Sequence, residues 1–175
     1  MANKVILKAS DGTTVEFYDE IKAQGGVKDV YFSTDKTYVV AFYRDPLNVN
    51  DKERVKNIVG TYRERIFTNT PDGQYWKDLF PWPSKMVEWN GKTGIVMPFY
   101  DKKFFFNGGP FDGKEKNGKW FASAKLRNRF LPADQKGNWL THLHLCIKIA
   151  RAIRRLHAAG LAHSDLSYNN VLIDP

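Results

Sequence analysis

This chain is short of cysteine, of long apolar runs and of acidic residues relative to basic ones. Each shortage narrows what it can be. A single cysteine, Cys146, cannot form an internal disulfide within the 175 residues. A disulfide-stapled scaffold is therefore excluded, and a reducing, cytoplasmic setting is expected. Zinc is disfavoured too: His142 and His144 sit at i and i+2 of a helical pattern and point to different sides, with too few thiols to complete a site. No apolar run approaches the roughly 20 residues of a membrane-spanning helix. None follows Met1-Ala2-Asn3-Lys4 either, so no signal peptide and no membrane partner is expected.

Basic residues outnumber acidic ones, 27 to 19, for a net charge of +8. This suits anionic company, whether a nucleotide, a nucleic acid or an acidic protein surface. The cations are spread out, with modest clusters at Lys102-Lys103, Lys125 to Arg129 and Arg151 to Arg155. No nucleic-acid-binding motif accompanies them, so nucleic acid is not the expected partner. With 42% hydrophobic residues the chain has the material for a real core.

Val5-Ile6-Leu7 and Thr14 to Tyr18 read as strands joined at Asp11-Gly12. Gly25-Gly26 then precede a strand through Val30-Tyr31-Phe32, and after a turn at Ser33 to Lys36 comes a strand from Thr37 to Arg44. The paired glycines are either a plain turn or a loop whose backbone N–H groups close over phosphates. Asn48 to Phe67 has helical period, capped by Asn50 or Asp51, with Val55, Ile58, Val59, Tyr62 and Ile66 on one stripe. Thr68 to Ser84, with Pro71-Asp72-Gly73 and Pro81-Trp82-Pro83, reads as a loop with aromatic anchors. Lys85 to Trp89 and Thr93 to Met97 flank Asn90-Gly91, a second hairpin.

Asp101 to Gly137 is rich in Gly, Lys and aromatics and reads as an excursion pinned by Phe and Trp, with a short basic helix over Ala124 to Phe130. Its interleaved aromatics and lysines offer the alternative of base stacking. Trp139 to Ala159 is the clearest helix. Its apolar stripes leave little polar face, which predicts a largely buried element capped by Gly160.

The most informative run follows that helix: His163-Ser164-Asp165-Leu166-Ser167-Tyr168-Asn169-Asn170, then the apolar Val171-Leu172-Ile173. A carboxylate and a carboxamide held in one tight loop can face a common pocket. Asp165 can orient or deprotonate a hydroxyl, while Asn170 offers a carbonyl oxygen to Mg²⁺; otherwise both merely cap turns. The pattern His-x-Asp-Leu-x-x-x-Asn, after Leu156-His157-Ala158-Ala159-Gly160-Leu161, resembles the catalytic loop of the protein-kinase-like superfamily.

That resemblance implies an α+β, two-lobe fold: an N-lobe of antiparallel sheet plus helix with the hinge over 1–100, then an insertion and the start of a helical C-lobe over 101–175. It implies catalytic roles for Asp165 and Asn170, with His163 bracing the loop and Asn170 the metal ligand. Gly25 and Gly26 would cover the phosphates of ATP, although Ala23 and Lys28 stand where the family's first and third glycines belong. The family's strand lysine is missing. Tyr43 holds its register and Arg44 its chemistry, so Arg44 is nominated, paired with Glu64 of the following helix, which lies nearer the usual separation than the other candidate, Glu53; a surface arginine and an exposed glutamate are the plainer alternatives. Met97 would be the gatekeeper, and Pro98, Phe99 and Tyr100 the hinge that receives adenine; otherwise Met97 is core filler. ATP and Mg²⁺ are the implied cofactors.

The composite looks similar to bacterial eukaryote-like Ser/Thr protein kinases, within them to the divergent group linked to stress and tellurite-resistance operons. A pseudokinase scaffold and a small-molecule kinase of the aminoglycoside or choline type are the alternatives. The chain stops at Asp174-Pro175, ahead of the family's Asp-Phe-Gly-type motif. A truncated domain is therefore expected, inactive by itself and prone to self-association, whose intact form phosphorylates a protein substrate.

Overall fold

The computed structural model describes residues 2–68 and 73–175. They form two compact units, Met1–Phe99 and Tyr100–Pro175.

Strand formation in the first unit follows its β-branched and aromatic alternation. The strands are β1 (Lys4–Lys8), β2 (Thr14–Gln24), β3 (Lys28–Ser33), β4 (Tyr38–Tyr43), β5 (Lys85–Trp89) and β6 (Lys92–Pro98). They build one six-stranded sheet in the order β1-β2-β3-β4-β6-β5, with every neighbouring pair antiparallel. Both expected hairpins form. Gly12 turns β1 into β2 at φ 81, and Asn90 and Gly91, at φ 50 and 74, make the left-handed pair that joins β5 to β6.

β2 runs on to Gln24, past the expected end at Tyr18. Its second half is exposed and carries Asp19, Glu20 and Lys22, so it lacks the alternation that marks a strand. Pairing with β3, through register shifts on either side of Ile21, keeps it extended. The result is a projecting ribbon with Gly25-Gly26-Val27 at its tip.

One face of the sheet is an aromatic core. Phe17, Tyr31, Phe42 and Trp89 meet at centroid distances of 5.2 to 5.8 Å, most of them edge to face. Val15, Val40, Val87 and Val96 fill in around them. The sheet accommodates these rings because β6 carries Gly94: a Cβ there would lie 2.6 Å from the Phe42 ring and 3.0 Å from Val87. Since side chains alternate along a strand, Val39, Ala41 and Tyr43 face the other way. The register sets Lys28 opposite Tyr43, Val30 opposite Ala41 and Phe32 opposite Val39, then Ala41 opposite Ile95 and Val39 opposite Met97. These cross-strand rows share one face.

The helical stretch begins at α1 (Val49–Asn57), capped by Asn48, whose side chain accepts from the Asp51 amide. The cap therefore lies before the expected Asn50 or Asp51. A π-helical segment, Ile58–Tyr62, follows, then α2 (Arg63–Phe67). The wider turn shifts the phase of the apolar stripe, and Ile66 is its one fully buried member. The Ile58 carbonyl accepts from Trp82 Nε1 at 2.8 Å.

The expected loop from Thr68 to Ser84 contains a short helix, α3 (Gly73–Leu79). No breaker interrupts those seven residues, and they are too few for helical period to stand out. The aromatic anchors are present, with Phe67, Phe80 and Trp82 in mutual ring contact at 6.0 to 6.5 Å. Pro71 and Asp72 of the expected turn lie outside the described residues.

In the second unit the excursion after residue 100 has its own core. Phe106, Phe121, Leu131 and Ile173 are buried, with Phe111 and Trp120 against them. Two short helices lie within it, α4 (Gly118–Ala122) and the anticipated basic helix, α5 (Ala124–Phe130). Next comes α6 (Trp139–Ala158), opened by a capping box between Asn138 and Thr141.

The expectation that α6 is largely buried is not met. Leu156 is 5% exposed, but Trp139 is 77%, Leu143 48% and Ile147 47% exposed. An apolar stripe marks which residues can be buried, not whether a neighbour is there to cover them. Among the described residues, no helix is long and apolar enough to cross a membrane.

Candidate functional site

The Asp165–Asn170 loop is fixed at both ends by backbone chemistry. At its start Gly160, at φ 86, terminates α6. Its N–H bonds to the His157 carbonyl, and the Leu161 N–H to the Leu156 carbonyl, both at 2.9 Å. This is the paired pattern of a glycine C-cap. At the far end Val171 accepts from the Gly118 N–H at 2.9 Å, and the Ile173 N–H donates to the Lys116 carbonyl at 2.8 Å. Gly118 lets the two segments approach closely there, since a Cβ would lie 3.1 Å from the Tyr168 carbonyl oxygen.

Between these anchors the chain turns tightly. The Ser167 N–H donates to the Asp165 carbonyl at 3.1 Å, and a single 3₁₀ turn spans Tyr168–Asn170. The turn brings the two nominated side chains together: Asn170 Nδ2 donates to Asp165 Oδ2 and to the Asp165 carbonyl, each at 2.8 Å. Both partners are acceptors only, so the amide must present its nitrogen to them, and Asn170 Oδ1 is left to accept a cation or donor. Asp165 Oδ1 is likewise uncommitted among the described residues. Both residues are exposed. His163 is exposed too, with no hydrogen bond among the described residues.

These oxygens suit a hard cation that keeps its waters and also binds phosphate, the habit of Mg²⁺. Among the described residues no group of three or more His, Cys, Asp or Glu could hold a metal ion.

In the first unit the β2–β3 ribbon ends in Gly25-Gly26. Neither glycine has a positive φ, and a Cβ would meet nothing within 4 Å at Gly26 and only the Lys28 carbonyl oxygen, at 3.8 Å, at Gly25. The backbone does not require glycine at these positions. What their lack of side chains provides is open space over the tip.

Arg44, just past the end of β4, is turned to that tip. Its Nε pairs with Asp29 Oδ1 at 3.3 Å, its guanidinium donates to the Gly25 carbonyl, and its backbone N–H bonds to the Val27 carbonyl at 3.0 Å. Asp29 is buried and also accepts from Gln24 Nε2 at 3.0 Å. Arg44 thus ties the ribbon to β4. Glu64, on α2, is exposed and makes no ion pair among the described residues.

A cation beside the glycine tip, on the sheet face opposite the aromatic core, is Lys28, which the sequence did not single out as a site residue. Its Nζ lies 4.6 Å from the centroid of the Tyr43 ring, a contact worth about 0.5–1 kcal/mol at an exposed site. Below it on the same face come half-buried Val30 and buried Ala41, then half-buried Phe32, Val39 and Met97, an apolar strip. The Phe99 ring continues it, 4.9 Å from that of Phe32.

Of the expected hinge, Pro98 has no N–H, and that of Phe99 is used by the Thr37 carbonyl at 3.2 Å. In the second unit the Tyr100 N–H has no partner among the described residues. Burial, and then the Glu115 charge, raise the Tyr100 phenol above its ordinary value.

No family model matches this chain. No curated protein sequence matches it either. The solved structure of vaccinia related kinase 3 is similar in fold, with a TM-score of 0.54 at 10% sequence identity over 98% of this chain. The chain spans 46% of that kinase's length. The N-terminal antiparallel sheet and the helices that follow it accordingly make up a mixed α+β, protein-kinase-like fold.

Proposed function

We propose that the full-length protein transfers the γ-phosphate of Mg-ATP to a Ser or Thr hydroxyl of a protein substrate. The observation that carries this reading is the 2.8 Å bond from Asn170 Nδ2 to Asp165 Oδ2. It orients a carboxylate oxygen and a carboxamide oxygen within one anchored loop. Asp165 takes the hydroxyl proton through its uncommitted oxygen, and the Asn170 hydrogen bond holds that carboxylate in place. Mg²⁺ bound with the nucleotide would neutralise charge on the phosphates, and Asn170 Oδ1 is the oxygen of this loop that would hold it.

Residues 1–99 supply the nucleotide contacts. The apolar strip of Val30, Ala41 and Met97 takes the flat adenine. Gly25-Gly26 leave room for phosphates beneath the ribbon, as glycine-rich tips do. The likeness of fold to a kinase supports the same class of chemistry; the protein substrate is our inference.

The test is transfer of labelled phosphate from Mg-ATP to a Ser/Thr peptide library by the full-length protein and its Asp165→Asn variant. We expect transfer to fall at least about a thousandfold, as when a group that acts only in the transition state is lost. Stabilisation of the fold by Mg-ATP should persist in the variant. Transfer that survives Asp165→Asn would overturn the assignment, and stabilisation without transfer by the parent would make the protein a scaffold.

A further inference from the structure

We infer that Lys28, at the start of β3, is the cation that neutralises the nucleotide phosphates, in place of a lysine on β4. This deepens the proposed nucleotide site and rests on it. A polyphosphate at the glycine tip needs a positive charge on the face of the sheet that holds the base. β4 offers none: its last residue is Tyr43, and Arg44 beyond it is committed to Asp29 and to the Gly25 carbonyl.

Lys28 meets each requirement. It stands directly opposite Tyr43 in the β3–β4 register, so it shares that residue's face. Val30 and Ala41 are the next facing pair below it. It lies just after the glycine tip, and the Gly25 N–H donates to its carbonyl at 2.9 Å. Its ammonium is placed by the Tyr43 ring at 4.6 Å and forms no ion pair among the described residues. The ring face attracts the ammonium without carrying a formal charge, so the lysine is steered without being cancelled. Asp29, the nearest carboxylate in sequence, points to the opposite side of the strand and is engaged by Arg44 and Gln24. The tyrosine at the usual lysine register thus serves as the platform for a lysine from the neighbouring strand.

The experiment measures the affinity of the 175-residue chain for Mg-ATP and for adenosine by calorimetry, in the parent, Lys28→Ala, Lys28→Arg and Lys28→Ala/Tyr43→Lys. Loss of one charge-assisted contact should weaken Mg-ATP about tenfold to a hundredfold, with adenosine unchanged within about twofold. Lys28→Arg should keep most of the affinity. Returning a lysine to the facing position in Lys28→Ala/Tyr43→Lys should restore much of what was lost. An unchanged ratio of Mg-ATP to adenosine affinity in folded Lys28→Ala would overturn the role of Lys28 and leave the nucleotide site standing. A parent chain that binds neither ligand would overturn the nucleotide site and this inference with it.

Discussion

At the scale of single residues, Asp35 shows how a surface carboxylate can tie stability to pH. It sits in the turn between β3 and β4, where its Oδ1 accepts from Ser33 Oγ at 2.8 Å, the Thr37 amide at 3.0 Å and Thr37 Oγ1 at 2.8 Å. The Ser33 hydroxyl first, then the Thr37 amide and hydroxyl, hold the Asp35 carboxyl below its ordinary 3.8. A folded-state pKa below the unfolded one means stabilisation that is present above pH 3.8 and lost as pH falls through the depressed value. Asp35→Asn should therefore melt below the parent at pH 5, with the gap closing as pH drops below about 3.8. A gap constant across that range would mean the charge plays no part. What the sequence tells about residues divides the same way, by whether partners are local. Asp165 and Asn170 are readable together because a short loop forces them to meet. Lys28 is not, because its importance comes from facing Tyr43 across two strands, a register that spacing along the chain does not reveal.

At the scale of elements, the hairpins at Asp11-Gly12 and Asn90-Gly91, the basic helix at Ala124–Phe130 and the Gly160 cap are all legible in advance. Each is specified by residues next to one another. What is not legible depends on the environment: β2 extends through a polar half because β3 pairs with it, and α3 forms over too few residues to show a period. α6 is the sharpest case, since its stripes look alike along the helix while their burial differs. Leu156 is enclosed and Leu143 is half exposed. Leu156→Ala should cost about 2–5 kcal/mol, the range for a truncated core leucine. Leu143→Lys should stay within about 0.5 kcal/mol, as surface changes do. Chemical denaturation of the two variants separates the cases. Equal large losses would mean that the upper helix is buried after all.

At the scale of the whole molecule, the property most evident in the composition is charge, and it bears on the nucleotide reading. A net charge of +8 sets up a field that attracts any polyanion before contact. Such attraction acts over the Debye length, about 10 Å at 0.1 M salt and about 3 Å at 1 M. Adenosine has the same base and sugar but no phosphate, so it feels none of this. Mg-ATP affinity should therefore fall several-fold between 0.1 M and 1 M salt while adenosine affinity stays flat. The composition supplies this expectation but not its location, because most of the cations are scattered. Location enters through Lys28, whose ammonium is steered by Tyr43 and has no ion-pair partner among the described residues. In Lys28→Ala the salt dependence should be shallower than in the parent, since one close contact is gone and the diffuse field remains. A slope unchanged by the substitution would assign the attraction to the overall field alone. Equal salt sensitivity for adenosine would show that the phosphates are not what the charge attracts.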